Sequence, residues 1–261
     1  MYDFEFVKPS SISEAVSALK AEDAQPLGGG QTLIPTMKQR LASPSKLVSL
    51  TGIAELSGVR LEGDNVIIGG ATTHAEVASD PNSFTGLALL ASMIGDPAVR
   101  NRGTIGGSLA NNDPSACYPA AVLATGAAVV TNLREISAED FFQGMFSTAL
   151  DDGEIITSVR IPIPVASNYQ KFEQPASRFA LVGVFVAKFQ GGVRVAITGA
   201  SENGVCRWNE AEEKLNSNFS SDSISDLSID HSEMISDLHG SKEYRANLVK
   251  IMTIRAVDAS G

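Results

Sequence analysis

Residues 100–119, RNRGTIGGSLANNDPSACYP, constrain this chain more than any other stretch. They hold Gly103, Gly106 and Gly107, the hydroxyls of Thr104 and Ser108, and the amides of Asn111 and Asn112. Glycine admits positive φ and lets backbone N–H groups approach a ligand with no Cβ in the way. The stretch reads as a backbone-lined cradle for a phosphate or a polyol. A second cradle lies upstream in GGGQTLIPTMKQRL, residues 28–41, where Gly28, Gly29 and Gly30 lead into Gln31, Thr32 and an apolar stretch broken by Pro35. Taken alone, each glycine pair reads equally well as a tight turn.

Neither cradle is a familiar nucleotide loop. The first in the chain has no Lys-Ser/Thr after its glycines and lacks the third glycine of a dinucleotide fingerprint, so ATP and NAD lose ground. Two separate glycine turns suit an extended ligand carrying a pyrophosphate and a polyhydroxy chain, and FAD is such a ligand. Charge narrows partners further. With 20 basic against 30 acidic residues and a net charge of −10, the chain lacks the basic face that nucleic acid or an anionic membrane requires. Cys117 and Cys206 are too few for a disulfide framework, which favours a reducing cytoplasm. His74, His231 and His239 lack zinc-site spacing, so no metal site is expected here. The longest apolar run, residues 120–130, is too short to span a bilayer, and MYDFEF is no signal peptide.

Along the chain, residues 2–7 read as a strand and 11–20 as a helix, an α/β start. Residues 46–50 and 66–68 read as strands. Thr72 and Thr73 read first as helix caps, with Glu76 completing a capping box. Residues 84–93 and 119–123 read as buried helices and 127–130 as a strand. Residues 155–163 read as a strand closed by Pro162 and Pro164, which a central strand would not tolerate. Residues 179–188 and 193–200 form an expected β-hairpin around Gly191 and Gly192, followed by a helix at 209–215. Residues 216–239 read as a solvated, loosely held segment. The final helix, 241–257, is expected to bury a stripe through Tyr244, Leu248, Ile251 and Arg255, with Leu248 and Met252 extending it. His74 reads as a satisfied histidine and Cys117 as a small buried side chain. Lys38, Arg100 and Arg102 fit a phosphate or a structural carboxylate equally.

Gly29-Gly30-Gln31-Thr32-Leu33-Ile34-Pro35, Gly70-Ala71-Thr72-Thr73-His74, Thr104-Ile105-Gly106-Gly107-Ser108, Asn111-Asn112-Asp113-Pro114 and Arg160-Ile161-Pro162 occur in that order. Together they resemble the FAD-binding medium subunit of the carbon monoxide dehydrogenase and xanthine dehydrogenase group of molybdenum hydroxylases. The resemblance implies an α+β fold of the PCMH type. Two α/β subdomains clasping FAD would fill residues 1–165, with a boundary near 55–60, and a C-terminal subdomain of antiparallel sheet and helices would fill 166–261. It also implies the cofactor-binding set. Gly28, Gly29, Gly30, Gln31 and Thr32 would take the pyrophosphate, and Leu33 and Ile34 would continue along the cofactor. Thr104, Ile105, Gly106, Gly107 and Ser108 would lie against the isoalloxazine and ribityl chain. Asn111, Asp113, Cys117, Lys171, Phe179, Thr72 and Thr73 would complete the shell. No residue need act as acid or base.

As implied partners, a large subunit would carry molybdopterin and a small subunit [2Fe-2S] clusters, with this chain relaying electrons from the clusters through FAD to an external acceptor in the cytoplasm. Two rival readings are a flavin-free scaffold subunit and a freestanding FAD-dependent oxidoreductase. Substrate and acceptor stay open. Two departures stand out: Cys117 replaces an acidic residue, and Ser177-Arg178-Phe179 replaces Gly-Asp-aromatic. A thiol is a poor acceptor, so its loss of a charged hydrogen bond would weaken FAD binding by about 1.5–3 kcal/mol.

Overall fold

The computed structural model describes residues 1–260. Its first part is a small parallel sheet, β1 (Glu5–Val7), β2 (Ala24–Leu27) and β3 (Lys46–Ser49), in the order β1-β3-β2. Helix α1 (Ile12–Ala18) starts at Ser11, whose Oγ accepts the Glu14 N–H at 3.2 Å. Helix α2 (Leu33–Lys38) follows β2 directly through the 28–32 loop and has no side-chain cap. Ala15, Leu19 and Val48 pack here with Ile53, Leu56, Ala71 and Ile155, so the small core is closed by residues from the next part of the chain.

That next part is a five-stranded antiparallel sheet with helices on it. It contains β4 (Val59–Glu62), β5 (Asn65–Gly69), α3 (His74–Ser79), α4 (Thr85–Ser92), α5 (Pro97–Arg100), α6 (Ile105–Asn111) and α7 (Tyr118–Thr125). It continues through β6 (Ala128–Thr131), β7 (Glu135–Ser137), α8 (Ala138–Phe141) and β8 (Ile156–Pro162), with strand order β4-β5-β8-β6-β7. The expectation that Pro162 keeps this strand off the centre is overturned, because β8 pairs with both β5 and β6. The reason is length. Pairing with β6 ends at Arg160, so Pro162 has a neighbour only on the β5 side, opposite Asn65, and its missing N–H removes no central ladder bond.

Helix α7 is the hub. All of its residues are buried, as expected of a helix apolar all round, and Gly126 ends it at φ +62°. One side of the last sheet lies on it. That sheet, β9 (Ala166–Glu173), β10 (Ala180–Phe189), β11 (Gly192–Thr198) and β12 (Cys206–Arg207), is antiparallel in the order β12-β11-β10-β9. Along β10, Phe185 and Ala187 join the α7 core, while Val182, Val184 and Val186 face a second core. Both faces are covered, which explains why β10 is apolar at nearly every position.

Helices α9 (Asn209–Ser217) and α10 (Lys242–Asp258) cover the second face. The expected α10 stripe needs correction. Leu248 and Met252 are buried as expected, but their companions are Arg245, Val249 and Ala256, while Tyr244 is exposed. Arg245 turns inward because its guanidinium donates to the carbonyls of Leu181 and Gly199 and pairs with Asp237. Residues 216–239 are also less loose than expected: Ile224 and Met234 are buried in the second core and anchor the segment.

Glu154 is an interior charge with a measurable consequence. Its carboxylate accepts from Arg134, from Thr131 Oγ1 at 2.6 Å and from the Asp151 N–H at 2.8 Å. The Arg134 hydrogen bond, against the opposing effect of burial, brings its pKa from 4.5 down to about 2. The sign follows: ionised Glu154 stabilises the fold fully above about pH 4.5, and that contribution drains away as pH falls through about 2. Wild type should therefore lose melting temperature more steeply between pH 4.5 and 2 than Glu154→Gln does, measured by calorimetry across that window.

A candidate cofactor groove

The 28–32 loop and the N-terminus of α6 meet, and a groove of about 610 Å³ runs along their junction. Its walls come from β2 and its loop, from α6 and residues 113–117, and from the turn at 177–179. The junction is possible only because both sides lack side chains. A Cβ on Gly29 would drive into the Arg102 carbonyl oxygen, one on Gly28 would lie 2.8 Å from Thr104 Oγ1, and one on Gly106 2.5 Å from the Gly70 carbonyl oxygen. Space, more than backbone twist, is what these glycines supply: of the six in the two cradles, only Gly30 has positive φ, +71°.

The two cradles also differ in what they offer. In the α6 cradle the donors are taken: Ile105 N–H bonds Thr72 O at 3.1 Å, Gly106 N–H bonds Gly70 O at 2.9 Å, and Gly107 N–H bonds Thr104 Oγ1 at 3.2 Å. That corrects the expectation that this stretch turns its amides toward a ligand. In the upstream cradle, no acceptor among the described residues takes the N–H groups of Gly29, Gly30, Gln31 or Thr32. Unclaimed backbone donors beside a groove suit an anionic ligand without a lysine or arginine.

Of the residues expected from the resemblance, Gly28, Gly29, Gly30, Gln31, Thr32, Leu33, Thr104, Gly106, Gly107, Ser108, Asn111, Asp113, Cys117 and Phe179 line the groove. Others stand off it. Thr72 is wholly buried and its hydroxyl is shared with both backbone groups of Gly58. Thr73 caps α3, its Oγ1 accepting the Glu76 N–H and donating to the Glu76 carboxylate. Ile105 is core, Ile34 lies outside the lining, and Lys171 sits behind it. The reading of Arg100 also resolves: its Nη1 donates to the carbonyls of Ile94 and Gly95.

The groove includes residues the sequence reading missed. Gln25, Pro26 and Leu27 belong to edge strand β2, whose Pro26 resembles a turn signal because only β3 pairs with it. His74 lines the groove and is 5 % exposed. Burial, aided by the Arg100 charge, brings its pKa down to about 4, so it is neutral near pH 7. Its nearness to Gly103, where a Cβ would lie 2.5 Å from Nε2, is not a sequence-level signal. At the other end, Phe179 is 49 % exposed and Cys117 is buried with its thiol pKa raised by burial against the opposing pull of Lys171. The groove thus has a donor-rich end and an aromatic end.

A family described as the FAD binding domain in molybdopterin dehydrogenase matches residues 2–164. The chain is 35 % identical to the carbon monoxide dehydrogenase medium chain of Afipia carboxidovorans, covering 98 % of this chain and 96 % of that one. It is 34 % identical, with the same coverages, to the nicotine 6-hydroxylase medium subunit of Paenarthrobacter nicotinovorans. Among solved structures, carbon monoxide dehydrogenase from Hydrogenophaga pseudoflava superposes with a TM-score of 0.87 at 33 % identity, covering 99 % of this chain and 97 % of that chain.

The glycine junction makes a direct test. Gly29→Ala should cost about 1–3 kcal/mol through forced separation of the two segments, visible as a lowered melting temperature, whereas Gly63→Ala, open around its Cβ but at φ +58°, should show only a backbone cost of about 1–2 kcal/mol and leave the groove intact.

Proposed function

The chain belongs to the family of FAD-binding domains of molybdopterin dehydrogenases, and from that premise we propose that it relays electrons through FAD between an iron–sulfur partner and an external acceptor. The observation that carries the reading is the groove itself, with unclaimed N–H groups from Gly29 to Thr32 at one end and Phe179 at the other. The residues fit the cofactor. Gly29, Gly30, Gln31 and Thr32 would hold the pyrophosphate, Ser108, Asn111 and Asp113 the polyol, and Phe179 the isoalloxazine. When bound, FAD supplies the redox chemistry.

The protein's own contributions are binding, orientation and control of polarity. The backbone donors would offset phosphate charge without a cation, and Leu27, Leu33 and Val99 give the groove apolar walls. His74 stays neutral near pH 7 and adds no charge. The relatives are medium chains of dehydrogenases and hydroxylases, which supports an assembly with a large molybdopterin subunit and a small iron–sulfur subunit. Both cysteines are free, which supports a reducing, cytoplasmic setting. Among the described residues, no helix is long and apolar enough to cross a membrane.

Cys117 favours one rival, a scaffold that no longer holds flavin, because a protonated thiol replaces the acid implied by the resemblance. Purification of the chain with its native partners separates the two. The relay reading expects a yellow preparation that releases about one FAD per chain on denaturation and carries molybdenum and iron. A colourless complex with both metals would leave the scaffold, and a chain without either metal would remove the assembly.

A further inference from the structure

We infer that Lys171 is a positioning residue for the groove, a buried ammonium that ties three separate wall segments together at the Phe179 end and gives that end a positive potential. The inference rests on the FAD reading above and concerns how this chain's residues tune the cofactor.

Lys171 lies on β9 opposite Gly183, and its side chain is fully buried. Nζ donates to the Met93 carbonyl at 2.5 Å and to the Arg178 carbonyl at 2.8 Å, and it stands 3.9 Å from Cys117 Sγ. Each partner belongs to a different wall. Met93 ends α4 and leads into Ile94 and Gly95, Cys117 opens α7, and Arg178 precedes Phe179 in the turn between β9 and β10. A single ammonium therefore sets the separation of α4, α7 and that turn.

The turn needs such a tie. Arg178 has φ +61°, a conformation that a bulky side chain holds only where its surroundings over-determine it. Locally, Arg178 N–H donates to Gln174 O at 2.8 Å, and Gln174 N–H donates to Phe179 O at 2.9 Å. These bonds close the turn on itself, and the Arg178 carbonyl then joins it to Lys171 in the body of the protein.

Charge gives the second half of the argument. The one carboxylate within 4.0 Å of Nζ among the described residues is Glu173, at 4.0 Å and half exposed. The neutral Cys117 thiol, 3.9 Å from Nζ, itself lines the groove. A buried cation so weakly offset lowers the energy of negative charge placed nearby. Reduced flavin carries more negative charge than oxidised flavin, so Lys171 favours the reduced form. An acid at position 117 would cancel that bias.

The test uses the FAD-loaded full chain in its native complex, with FAD affinity measured by fluorescence and the two-electron midpoint potential by spectroelectrochemical titration. Lys171→Met should lower the affinity for reduced relative to oxidised FAD about tenfold, a fall of about 30 mV. Lys171→Arg should restore the potential. Lys171→Gln, which keeps a hydrogen-bond donor but removes the charge, should lower the potential in the same direction. A lysine that is only a strut would shift melting temperature in Lys171→Met yet leave the potential unmoved in both Lys171→Met and Lys171→Gln, and that result overturns the inference. Should Lys171→Met fail to fold, Lys171→Gln decides alone. Wild type that takes up no FAD would sink the functional reading itself, and this inference with it.

Discussion

Backbone against backbone, with no side chain between, is the contact on which the rest of this molecule depends. Gly29, in the loop after β2, lies against the Arg102 carbonyl, and Gly106 of α6 lies against the Gly70 carbonyl just past β5, so each pair of segments approaches more closely than any alanine would permit. The same contact leaves a trough along its rim, because two curved segments that touch at glycines diverge on either side. The groove is thus a by-product of this close backbone packing, and its stiffness comes from that packing.

Helix α7 supports the arrangement from beneath. It is buried on every side, touching the five-stranded sheet, α6 and the last sheet, and its first turn carries Cys117 to the groove. One face of β10 and β11 rests on it, so the last sheet is fixed relative to the glycine junction, and the Phe179 turn projects from the end of that sheet. A groove assembled from three sheets needs such a shared reference. A shift of any one of them would change its width.

Polarity along the groove is graded. At the 29–32 end, backbone N–H groups supply positive partial charge with no ionisable side chain. Near Phe179, Arg178 lines the groove and the Lys171 ammonium stands behind it, 3.9 Å from the Cys117 thiol. Elsewhere the charges are satisfied within the protein: Glu154 by Arg134 and Thr131, Arg245 by Asp237 and two carbonyls. His74, which also lines the groove, is neutral through burial and adds no charge to it. Such a layout separates an anion-holding end from an end where charge changes.

Much of this was legible before any coordinates. Pattern and caps located α3, α4, α7 and the β10–β11 hairpin, and the two glycine runs marked both sides of the groove, because glycine and capping preferences act over a few residues. Strand β2 was not legible, since Pro26 is harmless only at an edge, and edges are a property of the sheet. Nor was the centrality of β8, which turns on where β6 happens to stop, or the rotation of α10, which turns on carbonyls from Leu181 and Gly199. The chain by itself determined which segments must come close, through glycines that nothing larger could replace. Only the tertiary structure decided which amides remain free: Gly70 and Thr72, far off in sequence, consume those of Gly106 and Ile105, whereas no acceptor among the described residues takes those of residues 29–32. Hydrogen bonding over that range depends on partners that local sequence does not contain.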